Sequence, residues 1–152
     1  MQERHDRPTG YVEIPLGPVL AEAADAIVTH VEETAELNIR RAIGMRDHPG
    51  EQALTDLTRL LVAHCTSLAD GVRAVPEERR TVRGITSLMT WETLVASGPE
   101  PGPLGTWSHA RHLAQVARDM LDEVRSYRNQ EASFVARPGL PPLALGPKGT
   151  RP

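Results

Sequence analysis

A chain of 152 residues with a formal net charge of -3 suits one domain with one core, and it has no overall basic character to draw nucleic acid or an anionic membrane. Its single cysteine, Cys65, excludes an intrachain disulfide and a multi-cysteine zinc cage, and no apolar run is long enough to span a bilayer. Ala, Leu and Val dominate the apolar set, and Phe134, Trp91, Trp107, Tyr11 and Tyr127 are all the aromatics, which favours closely approaching helices over a β-sandwich and, with the lone thiol, a cytoplasmic setting.

Residues 1–17 carry Pro8, Gly10, Pro15 and Gly17 without helical periodicity and lack the apolar stretch of a secretory signal. They read as a flexible N-terminal segment. The first helix is expected to open at Pro18, preset for the first helical position, and to close at Gly44, a natural left-handed cap. Leu20, Ala24, Ile27, Val31, Ala35 and Ile39 recur along it every three or four residues as one apolar stripe. Its acids Glu22 and Asp25 come early and its arginines Arg40 and Arg41 late, the order the helix dipole favours.

After the turn "GMRDHPG", a second helix should place Leu54, Leu57, Leu61, His64, Leu68 and Val72 or Val75 on one face. Pro76, followed by Glu77 and Glu78, signals the start of a third helix that Gly98 and Pro99 stop, with Val82, Ile85, Leu88 or Met89, Trp91 or Glu92, and Val95 inward. The loop "GPEPGPLG" leads to a fourth, capped by Thr106 or Ser108, whose stripe of Leu113, Val116, Ala117, Met120, Leu121 and Val124 runs to about Arg128. Short connections between amphipathic helices predict an all-α, four-helix up-and-down bundle over residues 18–130. Residues 131–152 are expected to form a Pro/Gly-rich tail, on which Leu140, Leu143 and Leu145 make a strip able to dock.

Little in the chain has the spacing of known chemistry. His109 and His112, three apart in "TWSHARHLA", share a helical face at the start of the fourth helix, and imidazoles so spaced can chelate a metal if other helices add ligands. Neither the His-Glu-x-x-His pattern of zincins nor the paired Glu-x-x-His motifs of di-iron bundles occurs, so no metal and no cofactor are expected. A second reading uses the free N–H groups of the helix start and Arg111 to bind an anion. In a third, the two rings close the edge of the core with solvated tips.

His64 and Cys65 cannot act as a base and thiol together, because adjacent helical residues point about 100° apart. Cys65 reads as a small buried hydrophobe and His64 as a core-edge histidine bonded to a neighbouring helix. A shared inter-helix pocket, in an enzyme or a small-molecule binder, would require His64, His109 and His112 to converge. Arg79, Arg80 and Arg83 make the one basic cluster of note, a candidate interaction surface that lacks the interleaved aromatics of nucleic-acid binding.

Three stretches in order, "LTRLLVAHCTSLADGVRAVP", a helix closing in "LVASGPEPG", and "HARHLAQVARDML", resemble an uncharacterised family of small helical proteins from actinomycete genomes described only as natural-product biosynthesis proteins. The resemblance covers roughly residues 54–128 and implies a pathway context without a catalytic residue. Together these readings predict a non-enzymatic accessory protein that works by binding a protein partner. The C-terminal strip or an uncovered part of the first helix is the natural surface for it. Self-association is left open, a DNA-associated regulator is the lesser alternative, and no membrane contact is expected.

Overall fold

The computed structural model describes residues 16–102 and 104–135, so what was expected of residues 1–15 and of the tail from 136 to 152 lies outside the described residues. Four helices follow one another: α1 (Leu16–Gly44), α2 (Glu51–Ala74), α3 (Val82–Ser97) and α4 (Gly105–Val135). No strand occurs among the described residues, and the class is the all-α bundle that the periodicity predicts. The described residues divide into two units, one up to Thr34 and one from Ala35 onward.

In the first unit the described residues are the N-terminal part of α1, which starts two residues ahead of Pro18. Every residue from 16 to 31 is exposed. Leu20 is 63% and Ile27 64% exposed, so only the last two members of the expected stripe, Ala35 and Ile39, reach the core.

The core of the second unit is built on α2 and α4. Leu54, Leu57, Leu61, Cys65, Ala69 and Val72 come from α2, while α4 supplies Ala110, Leu113, Ala114, Val116, Ala117, Met120 and Leu121. Burying each large side chain contributes about 1.5–3 kcal/mol. Small residues in both rows let the backbones close up, and the Cys65 thiol donates to the Leu113 carbonyl at 3.4 Å. The buried face of α2 keeps Leu54, Leu57, Leu61 and Val72 of the expected stripe and differs from it only in the middle. Cys65 and Ala69 occupy its centre, and His64 and Leu68 sit half-buried at its edge.

Pairs of contacts fix the directions. Cys65 meets Leu113 and Gly71 faces Val124, so α2 and α4 run parallel. Glu36 pairs with Arg125 and the Met45 carbonyl with Arg111, so the end of α1 runs antiparallel to α4. Arg83 lies opposite Asp122, while Leu94 and His112 line one cleft, so α3 is also antiparallel to α4. Alternation of direction along the chain is the up-and-down pattern.

Several boundaries differ from the sequence reading. Pro76 opens only a short 3-10 turn, Glu77–Arg79, and α3 starts at Val82 behind Thr81. The Thr81 hydroxyl accepts the Gly84 N–H at 3.1 Å, a cap that a helix running through from Pro76 would forgo. Arg80 is held extended and donates to the carbonyls of Val75 and Arg73 at 2.9 and 2.7 Å, which closes the end of α2. The inward face of α3 then falls on Gly84, Ser87 and Trp91. Val82, Ile85 and Val95, expected inside, are exposed.

The second difference concerns glycine caps. Gly44 ends α1 without a left-handed φ, and the left-handed residue of that connection is Gly50, φ 94°, which precedes α2. At the other end of the fold α4 continues to Val135, a turn and more beyond Arg128.

Candidate functional site

Where α4 begins, the loop from Gly98 folds back over its first two turns. The Gly105 N–H donates to the Gly102 carbonyl at 3.1 Å, and the Glu100 carbonyl lies so near Gly105 that no Cβ would fit there. Thr106 and Ser108, expected as caps, consequently lie inside the helix. Between this loop, the end of α3 and the start of α4 is an open cleft of about 480 Å³ lined among others by Leu94, Glu100, Ser108, His109 and His112. A second cleft of about 540 Å³ continues along α3 and α4 past Leu94 and His112 to Thr86, Val82 and Asp119.

His109 and His112 thus share one cleft. Burial, and then the nearby His112 ring, hold the His109 pKa below the ordinary value of 6.5. A largely neutral His109 beside the Glu100 that lines the same cleft is poorly suited to an anion. Arg111, the cation that the anion reading needs, is exposed and donates to the Met45 carbonyl at 3.2 Å. Its role visible in the fold is to tie the end of α1 to α4. Among the described residues no three His, Cys, Asp or Glu are grouped to hold a metal ion.

His64 does not line the cleft that holds His109 and His112. Its Nε2 lies 3.0 Å from the Asn38 amide nitrogen of α1. The amide donates, so Nε2 is the bare nitrogen and the ring carries its proton on Nδ1. Burial holds His64 below 6.5 and keeps this neutral form. Asn38 is itself buried, a polar partner the apolar pattern of α1 did not disclose. Beside it, burial pushes the Cys65 thiol up to about 12, far from thiolate chemistry at neutral pH.

The three arginines of the expected interaction surface are each engaged within the fold. Arg79 donates to Glu131 at 2.7 Å and lies 4.8 Å over the Tyr127 ring. Arg80 closes α2 as described, and Arg83 faces Asp122 at 4.0 Å. They join α3 and its approach to α2 and α4.

Two further residues, Glu123 and the core-edge Trp107, make contacts that the sequence does not disclose. Glu123, on α4, is 5% exposed and its carboxylate takes the Thr81 N–H at 2.8 Å and the Thr81 hydroxyl at 2.5 Å. Trp107 packs against the core with His48 edge-on, the ring centroids 6.2 Å apart, and its Nε1 is buried without a hydrogen-bond partner. No spacing signal in the sequence pairs either with its neighbour.

A family model described as a family of unknown function (DUF6415) matches residues 33–128. That span holds the end of α1, the whole of α2 and α3, and α4 to Arg128. No curated protein and no solved structure matches the chain.

Proposed function

The chain belongs to the family of unknown function DUF6415, and we propose that it is a non-enzymatic helical protein that acts by binding a protein partner. The observation that carries this reading is the first half of α1. Leu16, Val19, Leu20, Ile27, Val28 and Val31 are all exposed there. Contiguous exposed apolar side chains mark interaction surfaces more often than they mark idle surface. The three histidines, the best candidates for chemistry, are divided between the Asn38 contact and the α3–α4 cleft and form no joint acid-base set.

The resemblance of helices α2 to α4 to actinomycete proteins of natural-product biosynthesis supplies the setting: an accessory factor of secondary metabolism, working in the cytoplasm, where a lone free thiol stays reduced. No helix among the described residues is long and apolar enough to cross a membrane. The test is affinity capture from the source cell with the full chain and with its Ile27→Asp variant, both checked for equal thermal stability. Proteins retained by the first and lost with the second support a binding role for α1. Identical retention by both overturns it.

A further inference from the structure

We propose that the first half of α1 docks into an apolar groove made by basic amphipathic helices of another protein. The inference rests on the binding role argued above and names the partner's chemistry. At about 100° per residue, Leu16, Val19, Leu20, Ile27, Val28 and Val31 fall on one broad side of the helix together with Ala21, Ala23 and Ala24, with His30 and Thr34 as its polar members. Glu22, Asp25, Glu32 and Glu33 all fall on the other and border both edges of the apolar side. Between Leu16 and Thr34 there is no lysine and no arginine. A docking partner must therefore offer apolar side chains at its centre and positive charge at its rim.

This polarity decides among the occupants. An anionic lipid surface or a nucleic acid would face Glu22, Asp25 and Glu33 and no lysine or arginine on this segment. A second copy laid along the same face would bring carboxylates against carboxylates. A helical partner is favoured over an extended one because facing helices offer apolar side chains at the same spacing as the seam of this segment. One helix covers only part of so broad an apolar side, which is why a groove between helices is inferred.

The test uses the full chain and two fluorescent synthetic helical peptides with the same Leu and Ala seam, one bearing Lys and the other Glu at every charged position. Anisotropy titrations at low salt are expected to show binding of the Lys peptide at least about tenfold tighter than the Glu peptide. High salt should shrink the contrast. Ile27→Asp should remove binding of the Lys peptide, and the double change Glu22→Lys with Asp25→Lys should lower or reverse the preference.

Equal affinity for the two peptides would overturn the inference while leaving a binding role for α1 in place. Absence of peptide binding together with a concentration-dependent dimer in sedimentation, lost in Ile27→Asp, would overturn it in favour of a second copy. Absence of peptide binding by a chain that stays monomeric, with Ile27→Asp indistinguishable in every assay, would sink both the inference and the binding role on which it rests.

Discussion

The carboxylate of Glu123 on α4 reaches across to Thr81 and accepts both its N–H, at 2.8 Å, and its hydroxyl, at 2.5 Å. Thr81 in turn caps α3 by accepting the Gly84 N–H. One buried acid thus fixes where α3 starts and which side it turns to α4. Because the carboxylate sits against Gly84, a position where a larger residue has no room, the charge, the cap and the close approach form a single joint.

Glu123→Ala should lower stability by about 1.5–3 kcal/mol, the range for a charge-assisted hydrogen bond whose partners are left in a buried setting. Thr81→Ala should cost about 1 kcal/mol through the lost cap. The double variant should cost less than the sum, since the two side chains act on each other. Urea unfolding of the four proteins of this cycle checks it, and strict additivity would show that the joint does not operate as described.

A pH dependence follows from the neutral histidines. His64 and His109 both bind protons less readily when folded than their ordinary 6.5, through burial and, for His109, also through His112. As pH falls, the unfolded chain takes up these protons first. The stability contributed is therefore complete above the unfolded value near 6.5 and is lost as pH falls through the lower folded values. The urea midpoint should drop between about pH 7 and pH 5, and His64→Gln should flatten the drop. In histidine-resolved NMR, the His64 and His109 rings should both titrate below the ordinary 6.5.

Cys65 offers a chemical probe of the α2–α4 contact. Its thiol is fully buried, donates to the Leu113 carbonyl and is pushed up to about 12. Native protein should react with a disulfide exchange reagent at pH 8 only as fast as it unfolds, and unfolded protein should react at once. Prompt reaction in the native state would mean that α2 and α4 open locally at this level.

The helices themselves were legible in the sequence, because Leu54, Leu57, Leu61, Leu113, Met120 and Leu121 repeat at helical spacing and the loops carry glycine and proline. Which neighbouring residue of a stripe is deepest was not. Periodicity weighs His64 and Leu68 by type, whereas Cys65 and Ala69 win the centre because their small size brings α4 closer. For α3 the same rule found Trp91 and Leu88 but missed Gly84 and Ser87, and it turned Val82, Ile85 and Val95 inward although they are exposed. Of the candidate site, the sequence rightly put His109 and His112 on one face. Their cleft depends on the path of the loop over Gly105, and the separation of His64 depends on its Asn38 partner, neither of which a linear pattern encodes.

Two glycines give opposite expectations from one substitution. At Gly84 a Cβ would fall 2.6 Å from the Glu123 carboxyl carbon, inside any real contact. Gly84→Ala should force α3 and α4 apart or displace Glu123 from Thr81, and overpacking of this kind costs about 1–3 kcal/mol. At Gly44, the last residue of α1, a Cβ would meet nothing within 4 Å, and the backbone is not left-handed. Gly44→Ala should then raise stability, by up to about 1 kcal/mol, through a smaller entropy loss on folding. Thermal melts of the two variants beside the parent chain decide it. If Gly84→Ala melts with the parent, the approach of α3 to α4 is looser than the Thr81–Glu123 joint requires. If Gly44→Ala melts lower, the end of α1 leaves the helical conformation at Gly44.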